Sequence, residues 1–326
     1  MITNYKIMKN PFGELSIYYN SFLIKNLIKI GIVKNHSNYI NHIDFSKDGS
    51  QMLSSGDDDL ICIYDLFSKK VTDYFFNKMY GTKNALFTDN NNEIIYSSKN
   101  DNRIIIMNYK DRQYKYFLYG LHSLSSILSM KLKSNFLLSE QIDSNILLWK
   151  VKEKKCYACF TESSCACFDY NGEVLCNVKL IENSSEIQLY DLETLAMIKS
   201  YQKINGIIKQ ILISNDGMYI ITLLNTSLYI FNSETGSIIN IINRKVIGTF
   251  TSFDISPDSS FIAIADELGT VNFIDIQKKE LVSKKEIHLG KCTDIRFNHV
   301  YALLAVSSDI VLLYEPNYDN RNVIDI

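Results

Sequence analysis

Proline is scarce: the 326 residues hold three, beside only 13 glycines and a single tryptophan. Polar loops are written in asparagine and lysine instead. So few glycines leave no Gly-rich loop for cradling phosphates. The five histidines (His36, His42, His122, His288, His299) have no HExxH spacing, and GxSxG is also missing, so no catalytic residue and no cofactor is indicated. Charge of one sign is lacking too. Lys and Arg number 34 against 36 Asp and Glu, a net charge of -2, which carries no electrostatic footprint of bulk nucleic-acid binding. No apolar run reaches the roughly 18 residues of a membrane span. The start, "MITNYKIMKNPFGELSIYYN", lacks the uninterrupted apolar core of a signal peptide. A soluble intracellular protein is expected, without direct nucleic-acid or membrane contact.

What is present is a period. With 46% hydrophobic and 12% aromatic residues the chain can bury a large core. Alternating apolar strands end at Tyr64, Met107, Trp149, Tyr190, Phe231, Ile274 and Tyr314, in "ICIYD", "IIIMN", "ILLWK", "IQLYD", "LYIFN", "VNFID" and "IVLLYE". The gaps run from 40 to 43 residues, the period of WD repeats, in which each unit is one four-stranded propeller blade. Within units, "DFSKDGSQ", "ISNDGMY" and "ISPDSSF" mark hairpins between the first two strands, supplying turn conformations that β-branched residues resist.

The expected fold is therefore all-β, a seven-bladed propeller spanning residues 21–318, with an N-terminal extension over 1–20 and a C-terminal tail over 319–326. After Tyr314 only "EPNYDNRNVIDI" follows, so the last unit lacks an outer strand of its own. The apolar "SFLIKNLIKIGIVK" at 21–34 is the natural substitute. Its pairing with the last blade would join the two ends and remove two exposed sheet edges.

"SSGDDDLICIYD" at 54–65 places three carboxylates in a row. Asp58 lies six residues before Tyr64, as Asp101 lies before Met107 and Asp143 before Trp149. The offset falls in the turn between second and third strands, where Asx-type capping explains the residue type. Ser184, Asn225, Leu268 and Ser308 stand there in the last four units, so those blades are expected to lack the network. A calcium loop is disfavoured, because Cys62 occupies the sixth position that needs glycine. "CYACFTESSCACFDYNGEVLC" holds Cys156, Cys159, Cys165, Cys167 and Cys176. Its unequal CxxC and CxC pairs, on an outer and an inner strand, read as buried structural thiols in preference to zinc ligands. Seven cysteines, an odd number, suit a reducing compartment. No metal site is expected.

The order "HSNYINHIDFSKDGSQMLSSGDDDLICIYDL", "KMYGTKNALFT", "IIYSSKND", "IDSNILLWK", "SSEIQLYDL" and "FTSFDISPDSSFIAIADELGTV" resembles the WD-repeat subunit of the COMPASS-type SET-domain histone methyltransferase complex. The likeness runs from about residue 21 to 315 and is strongest in the first three units. It implies a His partner for the turn aspartates, at His36 in the first unit and His122 in the third. It also implies a nuclear, non-catalytic scaffold, a monomeric subunit of a hetero-complex. Its partners would be SET-domain methyltransferase subunits, cleavage and polyadenylation and type-1 phosphatase termination assemblies, and the phosphorylated tail of RNA polymerase II.

The turns before the third strands carry Asp57, Asp59, Glu140, Glu182, Asp266, Glu267 and Asp309. An acidic face suits a basic peptide better than a phosphorylated one. Cations concentrate in the second unit, at Lys83, Lys99, Arg103, Lys110 and Arg112. Asp57, Asp59, Lys83, Lys99 and Arg103 are thus the candidate partner-binding residues. A ubiquitin-ligase substrate receptor is the alternative. It is weakened because Trp149 precedes Lys150, and "LYDLET" lacks the arginine of a Trp-Asp-x-Arg docking element.

If Asp58 is structural, Asp58→Ala lowers stability by about 1 to 3 kcal/mol, the cost of leaving a buried partner unsatisfied. A thermal melt checks this, and an unchanged Tm would refute the assignment.

Overall fold

The computed structural model describes residues 7–9, 15–90, 92–100, 103–119, 125–130, 135–243, 248–287 and 290–317. For the strands at 7–9, 15–17 and 125–130 only the backbone enters the description.

Each 40-residue unit folds into one antiparallel sheet because its apolar residues alternate and its polar clusters turn the chain back. The first blade is Ile40–Phe45, Gln51–Gly56, Leu60–Asp65 and Lys70–Phe76, hydrogen-bonded in that order. The others follow the same plan, and Ile204–Asn205 adds a short extra pairing to the third strand of the fourth blade. First strands of successive blades pack against one another and line the axis. Second and third strands are almost wholly apolar and buried, as in "FIAIAD" of Phe261–Asp266, because a neighbouring blade covers each of their faces. The hairpins share a device. Ser46, Ser214 and Ser256 each donate to the aspartate two residues on, at 2.7, 2.5 and 2.6 Å, and each accepts the backbone N–H five residues on.

The seventh sheet consists of Asp294–Phe297, Leu304–Ser307 and Val311–Pro316, completed by Leu27–Val33. The closing strand runs antiparallel to the last, from Leu27 opposite Pro316 to Val33 opposite Val311. It reproduces the outer strands in detail. In the first six blades the outer strand carries a one-residue bulge opposite the third-strand residue on which the period was read, such as Thr72 at Tyr64 and Tyr157 at Trp149. Ile30 is the corresponding extra residue, at Tyr314. Bulges increase local twist, and a repeated bulge gives every blade the same outer curl.

The N-terminal segment is fastened beyond this ladder. Tyr19, Ile24 of the short helix Ser21–Lys25, and Leu27 are buried among Phe261, Ala263, Phe297 and Leu304 of the last two blades. Tyr19 lies edge-on to Phe297 with ring centroids 5.4 Å apart, and its N–H reaches Asp258 Oδ2 at 2.7 Å. Lys285 Nζ donates to the Leu27 carbonyl at 2.8 Å. Among the described residues Tyr19 already packs against the ring, two positions before the residue 21 boundary expected from the apolar run.

Ile24→Ala should cost about 2 to 5 kcal/mol by urea unfolding, the usual range for emptying a buried aliphatic site. Ile32→Ala, on the closing strand but 57% exposed, should cost less than about 0.5 kcal/mol. Equal effects would show that the segment's packing does not hold the ring.

Candidate partner-docking face

In the first blade the turn "GDDD" is built around Asp58. Its Oδ1 meets His36 Nδ1 at 3.0 Å, its Oδ2 takes the Ser37 N–H at 2.8 Å, and the Leu60 N–H approaches Oδ1 at 3.3 Å. His36 Nε2 continues to Ser54 Oγ at 2.7 Å, which meets the Tyr64 hydroxyl at 3.0 Å. Burial pushes the Asp58 carboxyl up, but the His36 hydrogen bond and charge and the Ser37 and Leu60 amides outweigh it and hold it below the usual range. The network needs Gly56, where an added Cβ would lie 2.7 Å from His36 Nδ1 and 2.9 Å from Asp58 Oδ1. Asp59, in the left-handed region at φ 59°, completes the turn with a residue type that tolerates it.

The third blade differs. Trp149 is fully buried, and its Nε1 donates to Ser139 Oγ at 3.0 Å, the counterpart of Tyr64 and Ser54. Asp143 is exposed, and among the described residues none donates a hydrogen bond to it. Gln141 stands where the first blade has Gly56, and its side chain is buried. Asp101 and His122 lie outside the described residues. The sequence reading passed over Ser54 and Ser139; the signal was a serine ten residues before the aromatic.

The division into acidic turns and a basic second blade does not survive in space. Lys99 Nζ lies 3.1 Å from Asp59 Oδ1 and 3.5 Å from Asp57 Oδ1, and donates to the Asp57 carbonyl at 2.8 Å. One lysine thus clasps both aspartates, and Asp59 also accepts the Thr82 N–H, at 3.2 Å. Lys83 is half-buried. Arg103 is set among rings, 5.8, 5.7 and 5.2 Å from the centroids of Tyr80, Phe117 and Tyr119. Glu140 and Asp266 do not face outward. Asp266 is buried and accepts Leu268 N–H, Thr270 N–H and Thr270 Oγ1 within its own turn.

Glu140 belongs instead to a set of polar groups on the axis that join consecutive blades. It accepts the Ala166 N–H of the fourth blade. Asp44 accepts from Phe87 and Asp254 from Phe297, each at 2.7 Å, while Asp294 accepts from Ile43 at 3.1 Å across the closure. Gln210 both donates to and accepts from the backbone of Phe253. Several line a polar channel of about 280 Å³ with His42 and Arg296. Burial pushes Glu140 up to about 8, Asp44 to about 7 and Asp254 to about 6, in each case against the pull of the bound amide. Asp294 is held low despite burial, chiefly by Arg296 and then His42. Burial depresses His42 to about 4. Its Nδ1 donates to the Ala85 carbonyl, and Nε2 accepts from Arg296 at 3.1 Å. The signal in the sequence was a polar residue within a first strand at Asp44, Gln210, Asp254 and Asp294, and within a second strand at Glu140.

The cysteine segment is divided between blades. Cys156 and Cys159 lie on the outer strand of the third, where, against the expectation of buried thiols, Cys156 is half-buried and Cys159 exposed, whereas Cys165, Cys167 and Cys176 pack with Ile208, Ile211 and Ile220 between the fourth and fifth. Desolvation raises the Cys165 and Cys176 thiols well above their ordinary range.

The candidate docking face lies where the first and second blades meet. A groove of about 370 Å³ is lined there by Tyr74, Phe76, Asn77, Tyr96, Arg112 and Tyr114, among others. Tyr74, Phe76 and Tyr114 are exposed, and Tyr80 and Tyr114 meet edge to face at 5.7 Å. Aromatic walls beside an arginine are what an extended peptide needs for stacking and charge recognition.

The ring, its repeat and its network define a WD-repeat β-propeller, and residues 28–65 match the family described as WD domain, G-beta repeat. Within that class the chain is similar over most of its length to three relatives. The protein of Drosophila melanogaster named WD repeat-containing protein 82 is 27% identical over 87% of this chain and 93% of the relative. COMPASS component SWD2 of Saccharomyces cerevisiae is 26% identical over 84% and 90%. Set1 complex component swd2 of Schizosaccharomyces pombe is 25% identical over 68% and 67%.

The Glu140 geometry has a pH consequence. A carboxyl raised by folding favours the protonated state, so its contribution is present below the unfolded value near 4.5 and is lost as pH rises through about 8. Glu140→Gln keeps an acceptor for Ala166 without the charge. Its Tm relative to wild type should rise from pH 5 to pH 8, and a constant difference would contradict the buried placement.

Proposed function

We propose that the chain is a non-catalytic scaffold of a nuclear SET-domain histone methyltransferase complex. The observation that carries this reading is similarity over 68% and 84% of the chain to relatives named as Set1 and COMPASS components. A closed ring with polar groups engaged between blades supports it, since such a body presents fixed surfaces to several partners at once. Cleavage and polyadenylation factors, a type-1 phosphatase assembly and the phosphorylated polymerase tail are further partners under this proposal. The groove between the first two blades is the proposed docking place for an extended segment. Arg112 is better placed than Lys99 to meet phosphate there, because Lys99 is already shared by Asp57 and Asp59.

Purification of the tagged chain from its native cells should recover a SET-domain methyltransferase, and a cullin adaptor in its place would overturn the reading. Arg112→Glu should weaken binding of a serine-phosphorylated polymerase-tail peptide about tenfold. It should leave Tm unchanged, and equal binding by both proteins would remove Arg112 from the site.

A further inference from the structure

Among the described residues the outer strand of every blade pairs along one side only, and such edges are usually guarded by charge. Six of the seven are: Lys70–Phe76, Gln113–Leu118, Lys155–Phe160, Met197–Ser200, Glu280–Glu286 and the closing Leu27–Val33 each contain lysine. Ile238–Asn243, "IINIIN" in the fifth blade, has no charged residue and no proline. It borders a largely apolar groove of about 470 Å³ between the fifth and sixth blades, lined by Ile241, Ile242, Phe250, Ile264, Leu268 and Leu281 among others. Ile241, Leu268 and Leu281 are 43, 57 and 59% exposed.

The groove has a sign. Lys279 and Lys284 line it, both are exposed, and among the described residues neither forms an ion pair. Asp266, the acid in the lining, is occupied within its own turn. Glu280 and Glu286 share a strand with Lys284 but do not line the groove. The Ile241 N–H lies outside the ladder and is held by the side chain of its neighbour, Asn240 Oδ1 at 2.9 Å, a local bond that an incoming carbonyl would replace.

We propose that Ile238–Asn243 and this groove accept an extended acidic-apolar segment of a partner protein as a fifth strand. Alternate side chains face the groove, apolar ones entering it and a carboxylate at either end of the same face meeting Lys279 and Lys284. The site is separate from the groove of the first two blades and does not depend on which complex the protein serves.

The test uses the full chain and fluorescein-labelled nonapeptides whose alternate residues read Asp-Ile-Ile-Ile-Asp, or Lys-Ile-Ile-Ile-Lys, with threonine between, followed by fluorescence anisotropy. Wild type should bind the aspartate peptide about tenfold more tightly than the lysine peptide. The Lys279→Glu, Lys284→Glu double variant should invert that preference, which a merely unfolded protein would not do. Ile241→Asp should weaken the aspartate peptide about tenfold, with Tm held as the control for folding. Equal binding of the two peptides, indifference to Ile241→Asp, or concentration-dependent self-association that Ile241→Asp abolishes would each overturn the proposal. The last result would assign the strand to a second copy of this chain.

Discussion

Everything in this molecule depends on one antiparallel ladder, between Leu27–Val33 and Val311–Pro316. Each blade buries its faces only against its neighbours, so an open arc would leave two apolar sheet faces in water. The closing strand repeats the bulge of the other six outer strands, which makes the seventh blade an ordinary one in shape although its chain is discontinuous. Tyr19, Ile24 and Leu27 then extend the seal across the last two blades. Burial of three such side chains is worth roughly 1.5 to 3 kcal/mol each, comparable with the net stability of many domains.

The polar interior has a second duty. Asp44, Gln210, Asp254, Asp294 and Glu140 all bind backbone of the following blade, so the blades are held in register at the axis as well as by apolar contact. Carboxylates placed where burial raises their proton affinity are costly when ionised. Arg296 offsets part of that cost near the closure, where Asp44, Asp254 and Asp294 converge on it. The outer face is quieter electrostatically than its composition suggests, since Lys99 is shared by Asp57 and Asp59.

Repeat number, blade boundaries and ring closure were legible because they follow from alternation and spacing, which a single sequence displays. The place of Asp58 in its turn followed from the same spacing, whereas its His36 partner, 22 positions away, came only from the family resemblance. What could not be read was direction across blades. Glu140 and Asp266 stand near the same turns as Asp57 and Asp59, yet burial turns the first two inward, and only the packing of neighbouring sheets decides that. Likewise Asp143 has the right offset, but Gln141 in place of glycine changes the space beside it. The pairing of Lys99 with two aspartates joins residues 40 and 42 positions apart, a contact made by blade stacking and invisible to local pattern.

Ring closure also has a consequence in time. The strand that seals the propeller leaves the ribosome before the six blades that follow it in the chain, and its partner leaves after them. Leu27 waits for Pro316 while six blades are synthesised. A nascent chain of this kind carries an unpaired apolar strand, "LIKIGIV", throughout that interval. Non-local pairing of that sort folds slowly and is exposed to aggregation. The fold therefore asks for protection of its N-terminal strand during synthesis, which the finished protein no longer needs.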